Sequence, residues 1–409
     1  MKYLVILGDG MSDYPVPELG GKTPLQYAKK PYIDDIARYG TIGLVKTVPE
    51  SMFPGSDTAN MSVLGFDPEK YYTGRSPIEA VSMGLTLEKD DVAFRCNLVT
   101  LSEGGNYEDK VMIDYSSDEI TSAESKELIV AINENINIEG IKFYPGISYR
   151  HCMVFNGCGT TTENTPPHDI LEKHIAEYLP RDESSPGCAE TLNRMMRESY
   201  GYLSKHPVNV ARVQRGLRPA NSVWLWGQGT RMELPSFEGK YGLKGVVISA
   251  VDLIKGIGLC CGLEPLHVEG ATGILDTNYE GKAKAAVDAF KGGADFAYIH
   301  IEAPDECGHR YEIENKVKSI ELIDSRVMPI VMEGLEGFDD YSVLVLPDHP
   351  TPLSLRTHAR DPVPFAVYTK SKRRLNPGVA GYDEFEGEKS GVYVGVGHTL
   401  MGKFIGGEL

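Results

Sequence analysis

No stretch of this 409-residue sequence is apolar for long enough to serve as a membrane span. The best run, Val246 to Leu263, is broken by Asp252, Lys255 and several glycines, and reads as a helix running into a strand of a soluble domain. The apolar run Tyr3 to Leu7 is too short for a signal peptide, and Asp9 ends it at once. Positive charge is also in short supply. The 41 Lys and Arg face 58 Asp and Glu, a net charge of −17, which excludes a broad nucleic-acid or anionic-membrane surface, because such partners need clustered cations. Cysteine is scarce and odd in number, seven with no C-x-x-C pair, the usage expected of reduced thiols in the cytoplasm. A chain this long builds a core without disulfide staples. There is no P-loop, no internal repeat and no low-complexity tract. A small anionic substrate stays open, since bound divalent cations and a few local arginines reverse the field inside a cleft.

What is present is an α/β rhythm. Met1 to Leu7, followed by Gly8-Asp9-Gly10, reads as a buried parallel strand with Asp9 at its carboxyl end, the edge where open α/β sheets bind ligands. Thr41 to Val48 reads as a second strand, leading into the turn Pro54-Gly55-Ser56-Asp57-Thr58-Ala59. That turn presents the Ser56 hydroxyl, and a helix begins just beyond it. From about 89 to 216 the pattern changes to strands at Val92 to Leu101 and Arg150 to Phe155 with helices at Thr121 to Asn135 and Cys188 to Lys205. This predicts an inserted α+β domain at 89–216 within a discontinuous core of 1–88 and 217–409. Further core strands are expected at Phe296 to Ile301, Ser342 to Leu346 and Pro364 to Tyr368. Glu312 to Leu335 has the apolar spacing of one long amphipathic helix, and Gly381 to Gly391 reads as a surface loop.

Three segments of the second half carry metal-ligand chemistry. Asp305 and His309, four residues apart, share one face of a helical turn directly after a strand. Asp348 and His349 follow an apolar strand between Pro347 and Pro350, where the backbone leaves strand geometry and lets neighbouring side chains converge. His358 follows nine residues on. With Asp9 and Ser56 these make three carboxylates, three imidazoles and a hydroxyl, a mixed O/N set suited to two divalent ions. Mn²⁺ is the natural choice, and Zn²⁺, Co²⁺ or Mg²⁺ are alternatives. Two such ions activate a hydroxyl and hold a phosphoryl group for in-line displacement, which casts Ser56 as a nucleophile passing through phosphoserine.

The order of Asp9-Gly10, Gly55-Ser56-Asp57-Thr58-Ala59, Pro304-Asp305 with Gly308-His309, Pro347-Asp348-His349 and Thr357-His358 before Asp361-Pro362-Val363-Pro364-Phe365 resembles the alkaline phosphatase superfamily. More narrowly it resembles the archaeal-type cofactor-independent (2,3-bisphosphoglycerate-independent) phosphoglycerate mutases. Gly65-Phe66-Asp67-Pro68, Tyr72-Thr73-Gly74-Arg75, Phe94-Arg95-Cys96-Asn97, Arg218-Pro219-Ala220-Asn221, Trp224-Leu225-Trp226-Gly227-Gln228-Gly229 and Gly270-Ala271-Thr272-Gly273 extend the resemblance through nearly the whole chain.

The resemblance implies an alkaline-phosphatase-like core, a mainly parallel sheet flanked by helices, plus the inserted α+β domain. It assigns one metal to Asp305, His309 and His358 and the other to Asp9, Ser56, Asp348 and His349. The implied reaction interconverts 3-phosphoglycerate and 2-phosphoglycerate in glycolysis and gluconeogenesis, with no bisphosphoglycerate consumed. The insertion would supply the glycerate-binding wall and close over the core. Arg75, Arg95, Arg150, His151, Arg215 and Arg218 are candidates for the phosphate and carboxylate, with the Arg150-His151 and Arg215/Arg218 pairs favoured. Lys282 is either the superfamily's phosphate-contacting lysine or a surface lysine, and Asn60 either donates to the phosphoryl group or caps. Rival readings keep the same serine: a homoserine kinase-like phosphotransferase, or a phosphomonoesterase or sugar-phosphate mutase. The partner expected is a small phosphorylated hydroxy-acid substrate, with no nucleic acid and no membrane. Oligomeric state is not legible.

Overall fold

The computed structural model describes residues 1–136, 138–182, 184 and 186–409. Two compact units emerge, Met1–Tyr72 with Glu233–Leu409, and Thr73–Met232. The smaller unit thus takes in more chain at both ends than the expected 89–216. The helix Arg75–Ser82 buries Ala80 against Ala93, Cys152 and Val154, and the strand Ser222–Thr230 pairs along Asp91–Leu101.

Among the described residues, the larger unit is built on an eight-stranded, mainly parallel sheet. Its spatial order is Tyr393–Val394, Thr41–Val45, Val363–Thr369, Tyr341–Leu346, Lys2–Gly8, Phe296–Ile301, Gly245–Ile248 and Glu264–Pro265. The Val363–Thr369 strand runs antiparallel to both neighbours. The central strands read as near-continuous apolar runs because helices cover both faces, which is the pattern of a buried parallel sheet. Leu7 lies level with Leu346 and Gly8 with Ile301, so three consecutive strands end at one height. The next residues of each chain segment therefore emerge at a single edge.

Three local expectations are corrected. In 246–263 the order is strand then helix, Gly245–Ile248 followed by Asp252–Cys260, with Asp252 and Lys255 paired at 2.8 Å on the helix surface. The stretch 312–335 is not one uniform helix: α-helices Ile313–Leu322 and Met328–Leu335 flank a π turn, Ile323–Val327. Pro329 lacks the N–H that a regular turn needs there, and the wider turn accommodates it. The stretch 381–391 contains the helix Glu384–Lys389, capped by Asp383. From its first turn Glu384 accepts from Ser12, Thr23 and the Asp13 amide, which ties the segment to the sheet edge.

The smaller unit holds, among the described residues, a five-stranded sheet around Asp91–Leu101. Helices Ser122–Asn135 and Pro186–Leu203 bring Leu128 and Leu192 into one buried cluster with Phe94, Met153 and Leu225 of the sheet. Cysteine usage is not uniformly thiol as expected. Cys158 and Cys188, 30 positions apart, form a disulfide, and Cys96, Cys152, Cys261 and Cys307 are buried free thiols. No helix among the described residues is long and apolar enough to cross a membrane.

Candidate metal and phosphoryl-transfer site

All seven residues singled out for metal and nucleophile chemistry meet at the common edge of the central strands, within the larger unit. Asp9 follows Lys2–Gly8, and Asp348 and His349 follow Tyr341–Leu346. Asp305 and His309 stand one turn apart on the helix Ala303–Arg310, which starts just after Phe296–Ile301. Ser56 opens the helix Ser56–Val63. Gly10 has φ +61, and a Cβ there would come within 2.5 Å of Thr351 and 2.8 Å of an Asp305 oxygen, so only glycine lets these loops approach.

Among the described residues three groups of donors are resolved, and two of them draw on the expected residues alone. In the first, Asp305, His309 and His358 each direct an atom to one point. His309 Nε2 and His358 Nε2 are 3.0 Å apart, and they lie 3.2 and 3.4 Å from the Asp305 oxygens. His309 Nδ1 sits 3.0 Å from the Arg356 carbonyl and His358 Nδ1 3.3 Å from the Pro54 carbonyl. A carbonyl only accepts, so each ring carries its hydrogen on Nδ1 and turns a bare Nε2 inward. Two converging lone pairs beside a carboxylate need a cation between them, and an O/N₂ donor set fits a divalent ion. With no metal bound these inward nitrogens attract a proton instead: hydrogen bonding with Asp305 raises His309 to about 9. At His358 burial lowers the pKa but the hydrogen bond and charge of Asp305 together prevail and raise it, so a metal ion has to displace that proton. Burial raises the Asp305 carboxyl, but the hydrogen bonds and charge of the histidines prevail and hold it well below the usual carboxylate range.

The second group comprises Asp9, Asp305 and His349, all buried, with Ser56 beside them. Ser56 Oγ lies 3.3 Å from His349 Nε2 and 3.4 Å from Asp9 Oδ2. Asp9 Oδ1 is buried with no hydrogen-bond partner, 3.7 Å from His349 Nε2. Burial, with Asp348, Glu302 and Asp305 nearby, pushes the Asp9 carboxyl well above its ordinary range. A buried carboxylate oxygen with no partner, facing an imidazole nitrogen and a hydroxyl, also fits a divalent ion. Asp348 stands 3.4 Å from His349 Nε2, with Oδ1 accepting from the Gly10 and His349 amides and Oδ2 from Asn60.

The remaining candidates sort differently from expectation. Asn60 spends both amide hydrogens, one on the Ser56 carbonyl and one on Asp348, each at 2.8 Å, and accepts from Tyr298 at 2.6 Å. No proton remains for a phosphoryl oxygen. Lys282 is not a surface lysine: it is fully buried, donates to the His300 carbonyl at 3.1 Å, and burial pushes it down to about 8.

In the smaller unit Arg75 and Arg95 share Glu79, at 2.9 and 3.1 Å, and Arg95 stacks 4.2 Å over Trp226. Asn97 is the register partner of Arg150, which places Arg150 on the sheet face of Arg95. His151, one residue on, turns to the opposite face, where it accepts from the Gly146 amide and burial pushes it down to about 3. The favoured Arg215 and Arg218 are engaged elsewhere, Arg215 with Glu124 and Arg218 with Asp114 at 3.1 Å.

Sequence reasoning passed over Tyr298, His300 and Glu302, which lie behind Asp9. His300 is fully buried, and burial pushes it down to about 3, while Glu302 is pushed up to about 7 by burial and by Asp305. The available signal was a polar Tyr and His inside an otherwise apolar strand that ends four residues before Asp305.

A model of the 2,3-bisphosphoglycerate-independent phosphoglycerate mutase family matches residues 37–209. A Geobacter sulfurreducens protein named "Probable 2,3-bisphosphoglycerate-independent phosphoglycerate mutase" is 52% identical over 403 residues, 98% of each chain. The chain belongs to this family. Another mutase of that name, from Methanosarcina mazei, is 50% identical over 96% of each chain. Among solved structures, the PH0037 protein from Pyrococcus horikoshii superposes with a TM-score of 0.82 at 28% identity, covering 99% of this chain and 96% of that one. The cofactor-independent phosphoglycerate mutase from Thermoplasma acidophilum gives 0.69 at 26% identity, with 99% of both chains covered.

Proposed function

We propose that this chain interconverts 3-phosphoglycerate and 2-phosphoglycerate through a phosphoserine on Ser56, with no bisphosphoglycerate consumed. The observation that carries the reading is the placement of Ser56 Oγ within 3.4 Å of both Asp9 and His349 at a helix N-terminus, beside the Asp305/His309/His358 group. The names of the full-length relatives support the substrate. Asp305, His309 and His358 would hold one divalent ion; Asp9, Ser56, Asp348 and His349 would hold the second, with Mn²⁺ the proposed metal. When bound, such ions lower the pKa of a hydroxyl and offset charge on a phosphoryl group in transfer.

In the forward half-reaction Ser56 Oγ bonds to phosphorus as the bond to the 3-oxygen breaks, and the serine proton ends on that oxygen. In the second half the 2-hydroxyl oxygen takes phosphorus from Ser56, and its proton returns to the serine. Asn60 orients both Asp348 and the first turn of the serine's helix, while Arg75, Arg95 and Arg150 form the anion-recognising group of the smaller unit. Hydrolysis of the phosphoserine is the competing fate, so turnover as a mutase needs water kept away from Ser56. The reaction belongs to glycolysis and gluconeogenesis, which supports a cytoplasmic location.

The test is an assay of the Mn²⁺-loaded protein on 3-phosphoglycerate without bisphosphoglycerate, beside homoserine with ATP and p-nitrophenyl phosphate. Production of 2-phosphoglycerate is expected. Turnover of homoserine or of the phenyl ester alone overturns the reading.

A further inference from the structure

Asp9 offers its two carboxylate oxygens to different surroundings. Oδ1 has no hydrogen-bond partner and faces His349, whereas Oδ2 lies 3.0 Å from His300 Nε2 as well as 3.4 Å from Ser56 Oγ. A carboxylate oxygen only accepts, so His300 carries a hydrogen on Nε2. On its other side His300 Nδ1 is 3.2 Å from Ser249 Oγ, and that same oxygen accepts from the Val251 amide at 2.9 Å. The ring is fully buried between Asp9 and Ser249, and with its hydrogen on Nε2 the Nδ1 atom is left to accept from the Ser249 hydroxyl. The Val251 amide anchors the Ser249 oxygen beside the ring. The backbone at His300 is pinned as well, by Lys282 Nζ on its carbonyl at 3.1 Å and by the strand's pairing with Lys2–Gly8.

We propose that His300 is a positioning residue which, held in one tautomer by Ser249, draws back Oδ2 of Asp9 and presents the bare Oδ1 to a divalent ion shared with His349. This rests on the two-ion reading above. An alternative role for the same atoms is a third cation site, because Asp9, His300 and Glu302 also bring their donor atoms together and Glu302 Oε2 has no hydrogen-bond partner. The hydrogen on Nε2 is against it, since a nitrogen that donates to Asp9 has no lone pair for a metal. Glu302 Oε2 is also farther from that nitrogen than Asp9, at 3.8 Å against 3.0 Å.

The test is calorimetric titration of the chelator-stripped full chain with Mn²⁺, with bound metal counted by elemental analysis. Wild type, His300→Phe, His300→Gln and Ser249→Ala are compared. Two ions per chain are expected throughout. In His300→Phe one of the two is expected to weaken by about 10–100-fold, the usual cost of losing a partner that orients a ligand, with the other ion unchanged. His300→Gln, whose amide N–H reaches the place of Nε2–H, is expected to recover most of that loss, and Ser249→Ala to fall between. A residue that only filled space would lower the unfolding temperature while leaving both constants alone. Unchanged constants in His300→Phe, equal weakening of both ions, or a third ion that this variant loses would each overturn the proposal. Should His300→Phe not fold, Ser249→Ala decides: one weakened ion supports the proposal and two unchanged ions overturn it. Wild type that binds no Mn²⁺ overturns the two-ion reading as well, whereas two ions held equally by all variants overturns only the role of His300.

Discussion

His309 and His358 turn their Nε2 atoms toward each other at 3.0 Å, with Asp305 within 3.4 Å of both. Without a cation this is a crowd of lone pairs beside buried carboxylates. Stripping the protein with EDTA is expected to abolish turnover, with Mn²⁺ restoring it. Because the native state alone holds the ions, each is expected to add about 2.7 kcal/mol of stability at a free concentration about 100 times its Kd. Thermal unfolding across a Mn²⁺ series measures this, and a midpoint indifferent to metal would contradict it.

Ser56→Ala removes one half-buried hydroxyl from the start of a helix whose cap position is Gly55. Mutase activity is expected to fall by on the order of 10³-fold or more, as for other catalytic nucleophiles. Stability should change by less than about 1 kcal/mol. Mass spectrometry after a quench with 3-phosphoglycerate should show a phosphorylated wild-type chain and an unmodified variant.

Asn60→Ala strands two buried groups, the Tyr298 hydroxyl and Asp348 Oδ2. Each unpaired group costs about 1–3 kcal/mol, so urea unfolding should register a clear loss. With Asp348 released, kcat is expected to fall while KM for the phosphoglycerate stays near wild type. A rise in KM alone would instead mark Asn60 as a substrate contact.

Lys316 is fully buried and bridges Asp13 at 2.7 Å and the Thr351 carbonyl at 2.8 Å, with Asp13 in turn accepting from the Leu353 amide. It ties the loop after Asp9 to the loop after His349. Lys316→Ala leaves Asp13 without its partner in the interior and is expected to cost about 3–5 kcal/mol in equilibrium unfolding.

The arginines divide by their neighbours. Arg95→Ala is expected to raise KM by about 10-fold or more, the scale of one lost charge-assisted hydrogen-bond pair. Arg215→Ala, which leaves Glu124 still paired with Arg212, is expected to leave KM near wild type. Steady-state kinetics on 3-phosphoglycerate compares the two, and the reverse ranking would return the anion site to the Arg215/Arg218 pair.

Much of the larger unit was legible because its signals are local. The apolar runs around Leu4 to Leu7, Phe296 to Ile301 and Val343 to Leu346 mark buried strands, and a candidate metal ligand follows each. The spacing of Asp305 and His309 stated their common helix face. Local signals failed where a distant contact overrode them. The stretch 381–391 reads as a polar loop, yet Glu384 is drawn in by Ser12 and Thr23 more than 350 positions away. Nothing near Cys158 announces Cys188.

The sequence alone determined the inventory: a hydroxyl, three carboxylates and three imidazoles in an order that marks the family, on strands whose apolar runs must be buried. Tertiary structure decided how that inventory is used. It paired His309 with His358 and spent the protons of Asn60 on Asp348. It locked Arg215 and Arg218 in ion pairs and set His300 behind Asp9. Periodicity and capping act over a few residues, whereas these pairings join positions up to 291 apart and follow from the order and register of strands in the sheet.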